Sequence, residues 1–298
     1  MVAPGDCPAR GKTPAANRVV CSWISGIRRK SSGGGGGMSP FWVVDLGICE
    51  YLDALDLQRR LVAAKKAGVF EPDVLLLLEH PAVITLGRRG RRENIRVSEE
   101  TLAALGIPVY TVERAGDVTY HGPGQLVGYP VLDLRHFRKD VGWFVASMQE
   151  AVRRTLAEYG VTAYALHGNY AGLWVRSKSQ PKLEQQWDEA VQAALTAVVA
   201  AQSERKIMAQ GARIEEWITF HGFALNVNTN LAHFDLIIPC GIADHGVTSL
   251  ERELGTPVLM ADVKEKVATH FQALFEHPAE SRARADIEVA LGHHFPSI

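Results

Sequence analysis

The most informative part of this sequence runs from Arg114 to Leu126 and reads RAGDVTYHGPGQL. Strand-like runs flank it, over residues 107–112 on one side and 126–134 on the other. Glycine lets the backbone adopt positive φ or approach a ligand closely, and polar side chains between strands often face a binding cleft. A long hairpin loop with turn glycines is the alternative, although a turn does not need arginine, tyrosine, histidine and glutamine together. We therefore interpret this part of the chain as one wall of a binding site.

The overall composition is typical of a globular protein. The 298 residues are 47% hydrophobic and 22% charged, which suits one large domain or two small ones. The formal net charge of −1 gives no overall field to attract nucleic acid or membrane, and the apolar run Val74–Leu78 is far too short to span a bilayer. The four cysteines, Cys7, Cys21, Cys49 and Cys240, lack the paired spacing of a metal site. We therefore expect reduced thiols in a cytoplasmic protein that holds no metal.

Residues 1–37 differ in composition from the rest of the chain. They carry six basic residues against one acidic residue, Asp6, and they end in five consecutive glycines, Gly33–Gly37. Such a segment cannot bury a core, so we predict that it is disordered. It is either an upstream extension before a true start at Met38 or a basic targeting segment. We favour the extension, because Met38 follows the glycines at once and Phe41 opens the first predicted strand.

Hydrophobic periodicity predicts a series of helices and strands after Met38. Apolar residues at helical spacing predict helices over Leu52–Lys66 and Val141–Tyr159. A third, alanine-rich helix is predicted from Pro181 to about Arg205 and looks like an insertion between strands. The predicted strands include Val74–Leu78, a hairpin of Val161–Leu166 with Ala171–Arg176, and the glycine-containing runs Lys206–Ile214 and Trp217–Asn228. The loop at Arg88 and Arg89 is either a solvated turn or a cationic rim for an anionic substrate.

Cys240 stands between a predicted strand end and a turn, with Pro239 and Gly241 on either side. These neighbours fix the backbone around the sulfur, so that the thiol is presented rather than packed. A lone cysteine is more often a small buried hydrophobic residue, so a catalytic role needs support from other motifs.

Several motifs together resemble the lipoyl(octanoyl) transferase family. They are Arg114–Leu126, HGFALN at 221–226, PCGI at 239–242 with TSL at 248–250, EHP at 79–81, LGRRG at 86–90, and Lys206 in the pattern Lys-Ile-x-x-x-Gly. The resemblance covers roughly residues 40–275 in the family's order. It implies an α+β fold, with a mixed β-sheet flanked by helices, like the catalytic domain of biotin and lipoate ligases. This would be a single domain over residues 38–298, with a helical insertion at about 178–205.

The resemblance also implies an activity. The family transfers an octanoyl group from octanoyl-acyl carrier protein to a lysine of lipoyl domains, in 2-oxoacid dehydrogenase complexes and the glycine-cleavage H protein, without a cofactor. It makes Cys240 the nucleophile that carries the acyl group as a thioester, and Lys206 the residue that lowers the thiol pKa. A free thiol has a pKa of about 8.5, and a nearby ammonium favours the thiolate. The residues assigned to substrate contact are Arg114, Ala115, Gly116, Asp117, Val118, Thr119, Tyr120, His121, Ala209, Gln210, Gly211, Gly222, Phe223 and Ala224.

Three features depart from the family pattern. Ala115 replaces a usual second glycine, Met208 and Gln210 occupy a strand that is usually smaller or apolar, and the predicted insertion precedes Lys206. Two alternatives therefore stay open. One is an ATP-dependent lipoate or biotin ligase of the same fold, which needs an adenylate site and no cysteine. The other is a non-catalytic homologue that binds lipoyl domains and is disabled around Lys206. The context of Cys240 favours the transferase over both.

Overall fold

A mixed β-sheet forms the centre of the part of the chain that this computed structural model describes, namely residues 40–166, 171–176, 204–239, 245–276 and 278–292. The strands are β1 (Phe41–Ile48), β2 (Asp73–Glu79), β3 (Val83–Leu86), β4 (Val109–Thr111), β5 (Val118–His121), β6 (Gln125–Val131), β7 (Tyr164–Ala165), β8 (Leu173–Arg176), β9 (Glu204–Gln210), β10 (Arg213–Glu215), β11 (Ile218–Phe220), β12 (Phe223–Asn226), β13 (Gly246–Val247) and β14 (Ala279–Arg282). The order across the sheet is β14-β1-β2-β6-β12-β9-β8-β7, with β13 beside β9. β1 pairs in parallel with β2 and β14, whereas the pairs from β2 through β6 and β12 to β9 are antiparallel.

Helices cover both faces of this sheet. They are α1 (Tyr51–Lys66), α2 (Glu99–Ala104), α3 (Val141–Glu158), α4 (Leu250–Leu254), α5 (Met260–Phe275) and α6 (Arg284–Leu291), with short 3₁₀ helices at Arg92–Asn94 and Leu231–Leu236. Among these described helices, none has the length and apolar character to cross a membrane. The predicted mixed sheet with flanking helices is confirmed, and the helices predicted from Leu52 and from Val141 correspond to α1 and α3.

The sequence of β2, Asp-Val-Leu-Leu-Leu-Leu-Glu, reflects burial on both faces. Alternate residues of a strand point to opposite sides of the sheet. Leu75 and Leu77 accordingly pack in the core with α3 and α5, while Leu76 and Leu78 pack in the core with α1 and α6. The sheet is therefore the middle of three layers, and its central strands are covered on both sides.

The chain crosses from a small sheet to the large one within the stretch quoted first. β5 pairs with β3 in a three-stranded sheet of β4, β3 and β5, whereas β6 pairs with β2 and β12. The hairpin alternative for this stretch is therefore wrong, because the flanking strands β4 and β6 are not partners: β4 pairs with β3. Gly124 makes the crossing with φ of +80°, and a side chain there would collide with the backbone carbonyl of Asn228.

Three predicted elements need correction. β9 already begins at Glu204, because Arg205 pairs with Val175 of β8 and with Gly246 of β13, so the predicted helix cannot extend to Arg205. The rest of that predicted insertion, residues 178–203, lies outside the described residues, as do the predicted leader over 1–37 and Cys240.

The strands predicted over 206–214 and 217–228 are each broken in two, at Gly211 in the first and at His221–Gly222 in the second. His221 has φ of +53°, which continuous strand does not allow.

Candidate active site

A pocket opens where the ends of β9 and β12 meet the loop before β5. Its empty space is about 450 Å³, a volume that includes solvent at the open mouth. Its lining residues are Tyr51, Arg114, Gly116, Thr119, His121, Tyr129, Ala209, Gln210, Gly211, His221, Gly222, Phe223 and Ala224. The pocket thus brings together ten of the fourteen residues assigned to substrate contact, from three segments that are far apart in the sequence.

Strand register and close backbone packing bring these segments together. Ala224 of β12 pairs with Ala209 of β9 on one side and with Val127 of β6 on the other. Beyond the paired residues, the Gly211 amide donates a hydrogen bond of 2.8 Å to the Gly222 carbonyl. A Cβ on Gly211 would lie 2.6 Å from the Ala115 carbonyl oxygen. The loop before β5 therefore lies directly against the end of β9, an approach that a side chain at Gly211 would prevent.

Arg114 is a buried cation in the pocket wall, with 8% of its surface exposed. Its Nη2 donates to the backbone oxygen and the Oγ1 of Thr85 at 2.7 and 2.9 Å, and its Nε donates to the same Oγ1 at 3.1 Å. Its Nη1 donates to the Ala115 carbonyl at 3.1 Å. These bonds fix the guanidinium and tie the loop to β3, so Arg114 supplies a positive charge in a set position.

The other four assigned residues do not line the pocket. Asp117 accepts hydrogen bonds from the Arg91 and Val118 amides and from Asn94 Nδ2, at 3.1, 2.7 and 2.6 Å. Val118 is buried in a separate apolar cluster, and the Tyr120 hydroxyl is 2.6 Å from His233 Nδ1. Ala115 is exposed. Asp117, Val118 and Tyr120 therefore hold the loop in shape.

Tyrosine and histidine side chains form the buried floor of the pocket. The rings of Tyr51 and His80 each lie within 6.0 Å of the His121 ring, measured between centroids. His80 Nδ1 donates to the Cys49 carbonyl at 2.7 Å, and its Nε2 lies 2.8 Å from the Tyr129 hydroxyl. Each histidine is thus held by hydrogen bonds and stacking.

Burial keeps these histidines neutral. Loss of hydration lowers the pKa of His80 to about 4 and that of His221 to about 4, and it lowers the pKa of His121 well below its usual value. Burial also raises the pKa of Tyr51 to about 12. At neutral pH the floor therefore carries no charge of its own, which suits a neutral acyl group better than a carboxylate.

Hydrogen bonds connect the pocket to the strand that carries Lys206. His121 Nδ1 donates to Gln125 Oε1 at 2.7 Å, and Gln125 Nε2 donates to Asn226 Oδ1 at 3.0 Å. Asn226 Nδ2 donates to the Thr248 carbonyl at 2.9 Å, and the Thr248 amide donates to the Lys206 carbonyl at 2.9 Å. We call this series the buried relay. It connects His121 to the backbone carbonyl of Lys206.

Lys206 lies in β9 between β8 and β13. It is buried, with 5% exposed, and its Nζ lies 4.7 Å from the centre of the Trp174 ring. Such a contact between an ammonium and an indole is attractive and strengthens when both are desolvated. Val247 pairs with Lys206 from the other side.

Both described flanks of Cys240 are anchored at this site. On the N-terminal side, the Ile238 amide donates to the Asn94 carbonyl at 2.7 Å, and Ile237 bridges to Ile95. On the C-terminal side, β13 lies beside Arg205 and Lys206. The described chain thus ends at Pro239, just after the contacts with Asn94 and Ile95, and it resumes at His245, just before the strand that pairs with Arg205 and Lys206.

Three lining residues were missed from the sequence. His221 adjoins the assigned segment, and its left-handed backbone is supported by a 2.7 Å bond from its amide to Gln58 Oε1. A histidine just before a glycine in a strand-like run was a usable signal for such a site. Tyr51 and Tyr129 gave no such signal, because an aromatic residue at the start of a helix or within a strand is usually interpreted as part of the hydrophobic core.

Comparison with known proteins identifies the family to which this chain is related. The family model described as the lipoyl protein ligase A/B catalytic domain matches residues 50–272. An octanoyltransferase of Caldicellulosiruptor saccharolyticus is 45% identical over 244 residues, which cover 82% of this chain and 92% of that protein. An octanoyltransferase of Solibacter usitatus is 42% identical over 231 residues, which cover 78% of this chain and 91% of that protein.

Solved structures share the fold at low sequence identity. A bipartite lipoate protein ligase from Thermoplasma acidophilum, described with its E2 lipoyl domain, has a TM-score of 0.59 and 16% identity, over 85% of this chain and 90% of that one. LipL1 of P. falciparum in complex with lipoate has a TM-score of 0.59 and 10% identity, over 86% and 69%. Fold and sequence together define an acyltransferase with a lipoate-ligase catalytic fold. The chain belongs to the octanoyltransferases of the lipoyl protein ligase A/B catalytic-domain family.

Proposed function

We propose that this protein transfers an octanoyl group from octanoyl-acyl carrier protein to a lysine of lipoyl-domain proteins, in the cytoplasm, through a thioester on Cys240. One observation carries the proposal. The pocket gathers the three assigned segments, and the flanks of Cys240 are anchored to the loop beside that pocket and to the strand of Lys206. The uncharged tyrosine and histidine floor of the pocket suits an alkyl chain, and an ammonium near a thiol favours the thiolate that acyl exchange needs.

The first half-reaction loads the enzyme. The Cys240 thiolate attacks the thioester carbonyl of the donor, the bond from that carbonyl to the carrier sulfur breaks, and the carrier thiolate leaves and takes up a proton. The Lys206 ammonium favours the thiolate that attacks, and it is a donor for the proton that the leaving thiol needs. Backbone N–H groups of the glycine-rich segments would stabilise the oxyanion of the tetrahedral intermediate.

The second half-reaction unloads it. The neutral amine of the acceptor lysine attacks the Cys240 thioester, loses a proton, and forms an amide as the bond to the Cys240 sulfur breaks. Lys206 in its neutral form is a base for that proton, which restores the starting state. The expected acceptors are lipoyl domains of 2-oxoacid dehydrogenase complexes and the glycine-cleavage H protein. The Thermoplasma neighbour, described with an E2 lipoyl domain, supports this class of acceptor.

The competing activity is an ATP-dependent ligase, and one solved neighbour is a lipoate-protein ligase A bound with ATP. A ligase must activate a free acid, whereas a transferase receives an acyl group already activated as a thioester. Purified protein should therefore modify an apo lipoyl domain from octanoyl-acyl carrier protein with EDTA present and ATP absent. Intact mass spectrometry should also detect an octanoyl adduct on Cys240 that hydroxylamine removes. Modification from free octanoate and MgATP alone would instead establish the ligase.

A further inference from the structure

A short, strongly basic loop lies beside the pocket. We call residues Gly87–Arg96 the arginine loop; it carries five arginines and one glutamate in a chain whose net charge is −1. All five arginines are exposed. Arg92 pairs with Glu99 at 2.6 Å. The other four, Arg88, Arg89, Arg91 and Arg96, make no ion pair with any residue in the described ranges.

The loop is held in shape without its arginine side chains. The carboxylate of Asp117 accepts from the backbone amide of Arg91 and from the side chain of Asn94, not from a guanidinium. The Gly90 amide closes a tight turn onto the Gly87 carbonyl at 2.7 Å. Four of the five arginines have no ion pair among the described residues through which their charge would stabilise the fold. We therefore expect these arginines to contact another molecule.

The loop is fastened to the site on two sides. Its start is bound to the pocket wall, because the Arg88 and Arg89 amides donate to the Arg114 and Gly116 carbonyls, both at 3.0 Å. Its end is bound to the chain before Cys240, because the Arg96 amide donates to the Leu236 carbonyl at 2.8 Å.

Cys240 follows this second attachment closely. Ile238, whose amide bonds to the Asn94 carbonyl at 2.7 Å, is two residues before it. Two residues of extended chain span at most about 7 Å. A macromolecule that delivers an acyl group to Cys240 must therefore come close to the arginine loop.

We propose that the arginine loop is the docking surface for an acidic face of the protein that carries the acyl thioester. The inference rests on the proposed function, since it concerns the donor of that reaction. The charge fits the donor better than the acceptor, because the acceptor must bring a lysine to the same thioester and a cationic rim repels an ammonium. Exposed arginines spread along a loop also match several carboxylates on a surface, whereas a single phosphate is usually held by converging donors.

The test measures the rate of Cys240 acylation by intact mass, at low and at high salt. The donors are octanoyl-acyl carrier protein, octanoyl-phosphopantetheine, which carries a phosphate but no protein, and octanoyl-pantetheine, which carries neither. The variants are Arg89→Glu and the double variant Arg88→Glu with Arg89→Glu, which leave the backbone hydrogen bonds of the loop available. The control for Arg89→Glu is Lys139→Glu, which makes the same charge change at an exposed residue between β6 and α3.

We expect the double variant to lose about tenfold or more of its rate with the carrier protein at low salt, because charge steering changes association rates by that order. Added salt should slow the wild type and remove the difference. Rates with the two small donors, and all rates of Lys139→Glu, should stay unchanged.

Several outcomes would overturn the proposal. Equal losses with all three donors would assign the arginines a structural role, and equal losses with the carrier protein and octanoyl-phosphopantetheine would assign them to a phosphate. An unchanged rate with the carrier protein would exclude docking here. If no donor acylates the wild type, the proposed transferase function itself fails, which is a different result from the loss of carrier preference.

Discussion

The two faces of the central strands differ sharply, although they share one backbone. Leu126 and Leu225 form a cross-strand pair, and both belong to the apolar core with α3 and α5. The next pair along, Gln125 and Asn226, points to the other side and forms the buried relay. Ala224, also on that side, lines the pocket. One face of β6 and β12 therefore stabilises the fold, while the other face buries polar groups that the site uses.

This difference separates stability from activity, and the separation is open to experiment. A polar side chain that is buried and hydrogen-bonded contributes little net stability, whereas a buried leucine contributes several kcal/mol. Changes on the apolar face should thus lower stability first, and changes on the site face should lower activity first.

The largest effect on activity is expected when Cys240 is replaced. Cys240→Ala should abolish both the octanoyl adduct and turnover, with the melting temperature nearly unchanged. Cys49→Ala is the matched control, because Cys49 is buried and burial raises its pKa, which makes it a poor nucleophile. Normal turnover of Cys240→Ala would end the covalent mechanism, and an adduct that depends on Cys49 would move the site.

Two adjacent residues of β12 test the comparison directly. Leu225→Ala should lower the free energy of unfolding by about 2–5 kcal/mol, and the folded fraction should keep its activity. Asn226→Ala leaves two buried hydrogen-bond partners unpaired, at about 1–3 kcal/mol each. In contrast to Leu225→Ala, it should also reduce the acylation rate of the folded protein strongly. Urea titration and single-turnover acylation would measure both. The comparison fails if Asn226→Ala is as unstable as Leu225→Ala and fully active when folded.

A smaller effect is expected at Lys206. If its ammonium stabilises the Cys240 thiolate, Lys206→Met should move the pH profile of Cys240 alkylation upward by roughly 1–3 pH units. Iodoacetamide labelling of Cys240 as a function of pH would measure this, with Lys139→Met as the control for a lost surface charge. An identical profile in Lys206→Met and wild type would show that the ammonium acts elsewhere.

The smallest effect concerns pH and the neutral floor of the pocket. His80 has a pKa of about 4 when folded and about 6.5 when unfolded, so between these values the unfolded chain binds the extra proton. Stability should therefore be complete above pH 6.5 and fall as the pH drops toward 4. His80→Gln should reduce that fall in stability without removing it, because burial lowers the pKa of His221 in the same way. Melting temperature measured as a function of pH would test this, and an unaltered slope in His80→Gln would contradict the assignment.

The sequence predicted the regular parts of the fold and most of the pocket segments. Helical spacing identified α1 and α3, and the glycine-rich runs indicated where backbones approach each other. It could not predict that β5 and β6 belong to different sheets, because pairing depends on residues far away in the chain. It also placed Arg205 in a helix, since alanine-rich sequence continues up to that point and strand pairing with β8 is not a local property.

The polar floor was harder to predict for a physical reason. Tyr51 and Tyr129 have the spacing of core residues in the sequence. Only the folded structure shows that Tyr51 stacks on His121, that the Tyr129 hydroxyl lies beside His80, and that both tyrosines line the pocket. The buried relay likewise joins residues more than 100 positions apart, Gln125 and Asn226. A pattern of alternation indicates that a side chain is buried, but not what it bonds to.

The packing of the pocket also bears on how the family could change its substrates. Gly222 and Gly128 are closed to any larger residue, because a Cβ on Gly222 would strike the Gly128 carbonyl and a Cβ on Gly128 would strike the Phe223 ring. Ala209 and Ala224 also line the pocket, and as directly paired residues of β9 and β12 they lie side by side on one face of the sheet. If the pocket holds the proposed acyl chain, a larger residue at Ala209 or Ala224 is therefore expected to shorten the chain that fits, while the glycines beside them keep the backbones close together.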